Sequence, residues 1–200
     1  MNKLNAIADF LFEVGILSKT PRSGFYFLGS GQQSVAEHIN RVVFIGYVLS
    51  YMHKKVGKKL DEKKVLEMCL FHDLPEARTS DLNYTHQKYT QANEKKAVSD
   101  LAETLPFGTE IEKLIDERND SDAIEALIAR DADQLELMLS LKEQLDIGNS
   151  RAKSWLALAI KRLKTKEAQD LAKVIIATPS DNWWFHDKED KWWITRSKKD

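Results

Sequence analysis

The sequence predicts an all-α protein, and two observations support this fold class. Apolar residues recur every three to four positions along most of the 200-residue chain, which is the spacing of one helix face. Regular strand-like alternation is nearly absent. The length suits one globular domain with a substantial core. We expect this helical domain over residues 1–180, followed by a Trp-rich polar tail over 181–200 that packs on the domain or on a dimer partner.

Three helices are predicted in the N-terminal half. The first, over residues 4–17, and the second, over 35–55, each carry an apolar stripe. The first stripe consists of Leu4, Ile7, Ala8, Leu11 and Val14. The second stripe consists of His38, Val42, Ile45, Leu49 and Met52. Asp61 caps the third helix, which runs to about Leu74, where Pro75 disturbs the helical pattern.

The C-terminal half continues the helical pattern. The predicted helices cover about residues 91–105, a short stretch from 109, 122–147, a stretch from 150, and 165–177. Thr109 with Glu112, and Asp122 with Glu125, have the spacing of capping boxes.

The tail differs from the rest of the chain. Two aromatic runs, residues 183–185 and 192–194, flank a charged turn. Such runs favour strands, so the tail is compatible with a small hairpin.

Two segments show no clear period. Residues 18–34 contain Pro21 and several glycines, and residues 77–88 are polar and irregular. Long irregular segments in compact domains are often binding loops, and both of these flank the residues that carry chemistry.

Composition excludes several classes of function. The net charge of −1 does not favour binding to nucleic acid or to an anionic membrane. No apolar run reaches the roughly 18 residues that span a bilayer, and Asp9 and Glu13 make the N-terminus amphipathic rather than a signal peptide. The single cysteine, Cys69, is interpreted as core filler and forms no internal disulfide. These features favour a cytoplasmic protein.

Several ionisable residues lie in line with the apolar stripes. His38 shares a stripe with Val42, while His72 and Asp73 extend the stripes of the third helix. Burial of such groups is costly unless they are paired or bind a metal. A lone histidine on an apolar face usually belongs to the core. The joint pattern with Glu76 instead favours a metal site, and imidazole with carboxylate suits Mn, Fe, Co, Ni or Zn.

This pattern resembles a known family. His38, then His72-Asp73, then an aspartate on a later helix, is similar to the H…HD…D signature of the HD superfamily of metal-dependent phosphohydrolases. The surroundings resemble its 5'-deoxynucleotidase branch over about residues 4–145. The segments that carry the likeness are residues 21–24, 34–38, 72–76, 79–82 and 132–135.

The resemblance implies an all-helical HD-domain bundle, usually a homodimer, that removes phosphate from deoxynucleoside 5'-monophosphates. It implies one divalent metal ion (Mn, Co, Ni, Fe, Zn or Mg). The implied ligands are His38, His72, Asp73 and Asp133. Glu76 would be the acid/base that handles the attacking water. Arg22 would hold the phosphate, and Asp81 would contact the sugar and help to sense a missing 2'-hydroxyl.

The fourth ligand stays open between two aspartates. On a helical wheel of residues 122–147, Asp131 lies near the centre of the main apolar stripe and Asp133 lies almost opposite. Periodicity alone therefore favours Asp131. The resemblance favours Asp133, with Asp131 nearby as a supporting or salt-bridge residue.

The chain also departs from the family pattern. Relatives carry an aromatic right after or shortly after the arginine, whereas here Ser23 follows Arg22 and the nearest aromatics are Phe25 and Tyr26. Ser80 stands where a glycine is usual, which we expect to be a mild change. His86 and Lys88 either reach substrate or belong to a solvated loop.

Two further histidines lie outside the pattern. His53 is predicted to be exposed near a helix end. His186-Asp187, in the tail, is interpreted as a chance repeat of the motif.

Two further functions remain open. The same metal site could act on a cyclic nucleotide, a nucleoside triphosphate or an alarmone. A metal-stabilised helical protein could instead bind a nucleotide without turnover, although Glu76 argues against this.

Overall fold

The computed structural model describes residues 3–196, and within that range the chain is helical without a β-strand. The thirteen α-helices of this range are α1 (Lys3–Ile16), α2 (Gly24–Leu28), α3 (Val35–Lys55), α4 (Glu62–Phe71), α5 (Glu76–Thr79), α6 (Tyr84–Gln87), α7 (Glu94–Ala102), α8 (Gly108–Asp120), α9 (Ile124–Asp146), α10 (Arg151–Ala159), α11 (Lys166–Ala177), α12 (Asn182–Phe185) and α13 (Trp192–Thr195). A 3₁₀ turn, Ile160–Arg162, follows α10. The predicted all-α class is confirmed.

Helix α9 is the centre of the fold. It packs against α3, α4, α8, α10 and α11, so apolar side chains on more than one of its faces are buried. Leu49, Met68, Ile128, Leu135 and Met138 are almost completely buried in this main core. Burial of side chains of this size is the dominant stabilising term.

A second, smaller core lies at the start of α3. Val35 and Ile39 of α3 pack there with Leu74 and with apolar residues of α7 and α8. One turn further along α3, Val42 belongs to the main core. His38 therefore stands between the two cores, on a helix held from both sides.

Helix α3 begins with a capping box. The Ser34 side chain accepts from the backbone N–H of Glu37, and the Glu37 carboxylate accepts from the backbone N–H of Ser34 at 2.6 Å. The two boxes predicted elsewhere are wrong. Phe107 and Ala123 occupy the N-cap positions of α8 and α9, and neither makes a side-chain cap.

The predicted hairpin in the tail is wrong. Both aromatic runs form short helices, α12 and α13. Trp184 and Phe185 stack with ring centroids 5.2 Å apart, and Trp193 meets both rings edge-on. An isolated two-stranded hairpin is marginal in water, whereas these helical turns bring three aromatic rings together.

Two expectations about exposure are also wrong. His53 is buried, with Nδ1 3.0 Å from Oε1 of Glu167, and this contact joins the end of α3 to α11. In α1, Leu4 and Leu11 of the predicted stripe are exposed, and Ala6 is the residue of that helix assigned to the core.

Across the described residues, no helix has the length and apolar character required to cross a bilayer.

Candidate metal centre and active site

Two buried histidines face each other at the centre of the site. Nε2 of His38, on α3, lies 3.3 Å from Nε2 of His72, in the turn after α4. Nδ1 of His38 lies 2.6 Å from Oε2 of Glu136, and Nδ1 of His72 lies 2.9 Å from the carbonyl oxygen of Cys69. Because both of these oxygens accept hydrogen bonds, each Nδ1 is a donor. The two Nε2 atoms are thereby directed into one gap.

Two carboxylates border the same gap. Oδ2 of Asp73 lies 3.4 Å from Nε2 of His38 and 3.2 Å from Nε2 of His72. Oδ1 of Asp133, on α9, lies 3.3 Å from Nε2 of His38. The ligand atoms of His38, His72 and Asp133 all lie within 4.8 Å of one another. Two nitrogen lone pairs and two anionic oxygens at such distances repel unless a cation lies among them, so this donor set fits a divalent first-row metal.

The electrostatics of the gap favour positive charge. Burial and Arg22 lower the pKa of His38, but hydrogen bonds with Asp133 and Glu136 outweigh them and raise it to about 9. Burial also opposes ionisation of Asp73 and Asp133. Nearby His72 and His38, with an arginine beside each carboxylate, nevertheless hold both pKa values well below the ordinary range. Both carboxylates are therefore ionised at neutral pH and available as ligands.

An arginine holds each carboxylate from outside the gap. Nη1 of Arg22 donates to Oδ2 of Asp73 at 3.2 Å, and Nη2 of Arg118 donates to Oδ2 of Asp133 at 2.8 Å. Arg118 comes from the last turn of α8 and was not predicted as a site residue from the sequence. No motif or spacing marks it, because its role depends on how α8 packs against α9.

Glu76 is the unusual acid of the site. Its Oε2 is buried and has no hydrogen-bond partner among the described residues. Burial, together with the charges of Asp73 and Asp81, raises the pKa of Glu76 to about 10. The side chain therefore carries a proton at neutral pH, beside a cavity that it lines with Arg22.

Hydrogen bonds join the two irregular segments. The backbone N–H of Ser23 donates to Oδ2 of Asp81 at 2.6 Å, and the Ser23 hydroxyl donates to the carbonyl oxygen of Asp81 at 2.8 Å. The backbone N–H of Asn83 donates to the Ser23 hydroxyl at 3.0 Å. Asp81 thus holds the loop that carries Arg22.

Ser80 adopts a backbone conformation that glycine favours, with φ 63 and ψ 161. For a residue with a Cβ this conformation is strained. The replacement of glycine at this position is therefore more costly than the sequence indicated.

The two aspartates of α9 have different partners. Asp131 is buried and accepts from the backbone N–H groups of Lys164 and Thr165 and from the Thr165 hydroxyl, at 2.6–2.9 Å. It therefore supports the start of α11. The structure brings Asp133, not Asp131, to the histidines.

Glu136 was missed in the sequence, although a signal was present. It lies three residues after Asp133 and so shares its helix face. It is almost completely buried, accepts a hydrogen bond from Nε2 of Gln33 at 2.7 Å, and forms an ion pair with Nε of Arg41 at 3.1 Å. These contacts fix the carboxylate that orients His38.

A cavity of about 400 Å³ opens from the gap. Its lining combines charged residues, Arg22, Asp73, Glu76 and Asp133, with apolar and aromatic ones, Phe25, Leu28, Tyr84, Leu137, Leu141 and Trp155. In the segment around α6, the walls come from Tyr84, Thr85 and Gln87, whereas His86 packs edge-on against Phe27 and Lys88 is exposed.

Residues 14–175 match a family described as HD domain. A 5'-deoxynucleotidase of Dictyostelium discoideum is 33% identical over 119 residues, which cover 56% of this chain and 62% of that protein. A 5'-deoxynucleotidase of Vibrio cholerae is 28% identical over 148 residues, covering 68% of this chain and 76% of that protein. The match thus spans less than two thirds of the Dictyostelium protein.

Solved structures share the fold. A conserved hypothetical protein from Pyrococcus furiosus aligns with a TM-score of 0.75 at 28% identity, covering 86% of this chain and 99% of that chain. An HD-domain phosphohydrolase from Listeria innocua aligns with a TM-score of 0.69 at 16% identity, over 93% of both chains. At that identity the likeness concerns the fold alone.

Proposed function

The chain belongs to the HD domain family, and from this membership we propose that it is a metal-dependent phosphohydrolase that releases phosphate from (deoxy)nucleoside 5'-monophosphates. One observation carries the proposal. Two histidine Nε2 atoms lie 3.3 Å apart, flanked by ionised carboxylates that line a cavity together with Arg22. The similarity to two 5'-deoxynucleotidases supports the choice of substrate.

His38, His72, Asp73 and Asp133 would hold one divalent ion, with Mn, Co, Ni, Fe, Zn and Mg as the candidates. Such an ion supplies positive charge that polarises a phosphoryl oxygen and makes water more acidic. Glu136 keeps His38 in the required tautomer, and Arg118 holds Asp133. The metal ligands are thus oriented by a surrounding set of hydrogen bonds, as metal sites require.

Arg22 would bind the phosphate. Its guanidinium lines the cavity and now pairs with Asp73 through one nitrogen, Nη1. Burial lowers its pKa, but the surrounding carboxylates raise it above the ordinary arginine value, so the charge is permanent. A planar guanidinium can donate two parallel hydrogen bonds to phosphate oxygens.

Glu76 would exchange a proton with the attacking water or with the leaving 5'-oxygen. In the metal-free protein its raised pKa gives it a proton to donate. The positive charge of a bound ion would favour the ionised form that accepts a proton. A general acid/base needs both forms to be accessible. Asp81, which lines the cavity beside the Arg22 loop, would contact the sugar and bias the site against a 2'-hydroxyl.

The remaining assignments are part of the same proposal. The enzyme would be a cytoplasmic homodimer, with residues 1–180 as the catalytic domain and 181–200 as a tail packed on the domain or on its partner. Its partner molecule is a nucleotide, not nucleic acid or membrane.

The test is phosphate release from ribo- and deoxyribonucleoside 5'-monophosphates. The protein is stripped with chelator and reloaded separately with Mn, Co, Ni, Fe, Zn or Mg. We expect metal-dependent release that favours deoxy substrates and is lost in Glu76→Gln. Glu103→Gln, a change of an exposed carboxylate on the surface, is the matched control and should keep full activity.

Other outcomes reject parts of the proposal. Equal release from both sugars removes the role given to Asp81. Release from a cyclic nucleotide, triphosphate or alarmone alone rejects the monophosphate substrate. Nucleotide binding without release under every metal rejects the enzyme.

A further inference from the structure

The residue that follows Arg22, the proposed phosphate-binding arginine, is Ser23, which has no aromatic ring to offer a ligand. Ser23 is buried, with 4% of its surface exposed. Its hydroxyl and backbone are committed to Asp81 and Asn83. The aromatic surface of the cavity comes instead from Phe25, Phe27, Tyr84 and Trp155.

Trp155 of α10 supplies such a surface next to the same loop. A Cβ placed on Gly24 would lie 3.8 Å from Cζ3 of the indole, which is ordinary van der Waals contact. The indole therefore packs beside the backbone two residues after Arg22. Trp155 and Ser23 are 132 residues apart in the sequence, so no motif or spacing relates the two positions.

Trp155 has two kinds of neighbour. It packs against the main core, and it also lines the cavity, as do Leu137 and Leu141 of α9. Within the part of the chain that the structure describes, no group accepts a hydrogen bond from its indole N–H. Both a ring surface and a donor are therefore available to a ligand.

The cavity lining changes from charged to apolar along α9, where Asp133, Leu137 and Leu141 follow one another at four-residue spacing on one face. A phosphate held near Arg22 and the histidines leaves the rest of a bound nucleotide to lie along this apolar part of the lining. A nucleobase is the part of that ligand with a planar π surface. Aromatic side chains stack on any base, so such contacts add affinity with little discrimination among bases.

We propose that Trp155 is the stacking platform for the base of the bound nucleotide and thus a specificity residue that separates nucleotides from other small phosphate esters. This inference rests on the proposed function. It assigns the recognition of the base to α10, a helix that carries none of the motif residues.

The experiment compares two substrates, a deoxynucleoside 5'-monophosphate and deoxyribose 5-phosphate, which lacks the base. In Trp155→Ala we expect KM for the nucleotide to rise by about 5- to 150-fold, with kcat nearly unchanged and KM for deoxyribose 5-phosphate unchanged. Trp155→Phe should keep most of the nucleotide preference. Trp155→Leu, which keeps apolar volume without a π surface, should behave like alanine. Trp183→Ala removes an exposed tail tryptophan and is the matched control.

Three results would overturn the inference. The first is an equal rise in KM for both substrates in Trp155→Ala, and the second is no change in KM for the nucleotide in that variant. The third is a wild-type KM for the nucleotide in Trp155→Leu. Thermal melts by circular dichroism show whether each variant is folded. If the wild-type protein hydrolyses neither substrate, the proposed function fails, and the role of Trp155 is then tested by calorimetry of both ligands binding to metal-loaded protein. If the wild-type protein binds the nucleotide more tightly than deoxyribose 5-phosphate and Trp155→Ala loses this preference, the stacking platform is supported. If both proteins show the same preference, it is rejected.

Discussion

The Glu136 carboxylate and the His38 imidazole are joined by a 2.6 Å contact between Oε2 and Nδ1, and this contact determines which ring nitrogen faces the metal site. Burial raises the pKa of Glu136, but the hydrogen bond and charge of His38 outweigh it and lower the pKa. Glu136 is therefore an ionised acceptor, and Nε2 of His38 is left facing the proposed metal site. Ligand histidines commonly depend on such a partner.

Glu136→Leu should weaken metal binding by about 10- to 100-fold, because the freed imidazole can turn or change tautomer. Glu136→Gln keeps an acceptor oxygen and should lose less. Calorimetric titration of chelator-stripped protein with Mn²⁺ gives the affinities. Glu143→Gln, which changes an exposed carboxylate of α9 that also contacts Arg41, is the control. Wild-type affinity in folded Glu136→Leu would contradict the positioning role.

Glu76, the proposed acid/base, should also make stability depend on pH. Its folded-state pKa of about 10 lies above the ordinary value of 4.5, so the folded protein retains a proton that the unfolded chain releases. The stability associated with that proton is fully present below about pH 4.5 and is lost progressively as the pH rises toward 10.

Glu76→Gln, which cannot ionise, should therefore gain stability over the wild-type protein as the pH rises from about 5 to about 9. The melting temperature of metal-free protein should rise by about 2–4 °C for each kcal/mol recovered, while phosphate release is lost. Melts of both proteins across this pH range provide the measurement. A difference that does not change with pH would show that Glu76 titrates normally.

The helical periodicity was sufficient to predict the main helices, because each of α3, α4 and α9 buries a stripe. It was not sufficient to choose the ligand on α9. Asp131 and Asp133 both project from buried surroundings, since α9 is covered by other helices on several sides. Only the resemblance selected Asp133, and the contacts of Asp131 with the start of α11 depend on tertiary packing.

Other features of the site could not be predicted from the sequence, because they too depend on the folded structure. Arg118 and Trp155 approach the site from helices without motif residues, and the strain at Ser80 depends on a backbone angle. The hairpin prediction failed because aromatic composition does not distinguish a strand from a short helix when the rings pack on one another, as Trp184 and Trp193 do.

Ser80→Gly should stabilise the protein. Relief of the strain at φ 63 contributes about 1–3 kcal/mol, and the greater freedom of glycine in the unfolded chain removes about 0.4–1 kcal/mol. The expected net gain in the free energy of unfolding is about 1 kcal/mol, measured by urea denaturation. Ser150→Gly, at an exposed position with φ −63, is the control and should lose stability. A loss in Ser80→Gly would mean that the serine conformation is not strained.

The two aspartates of α9 should separate stability from metal binding. Asp131→Asn weakens the three hydrogen bonds that hold Lys164 and Thr165, so the free energy of unfolding should fall by about 2 kcal/mol. Its affinity for Mn²⁺ should remain near the wild-type value, because Asp131 does not face the histidines. Asp133→Asn places an amide beside Nε2 of His38 and should lose most of the affinity.

Both variants change one carboxylate to an amide on the same helix, so each serves as the control for the other. Circular dichroism melts of the metal-free proteins give the stabilities, and calorimetry with Mn²⁺ gives the affinities. If Asp131→Asn lost the metal while Asp133→Asn bound it normally, the helix face indicated by periodicity would be the ligand face. In that case Asp131, and not Asp133, would complete the site with His38, His72 and Asp73.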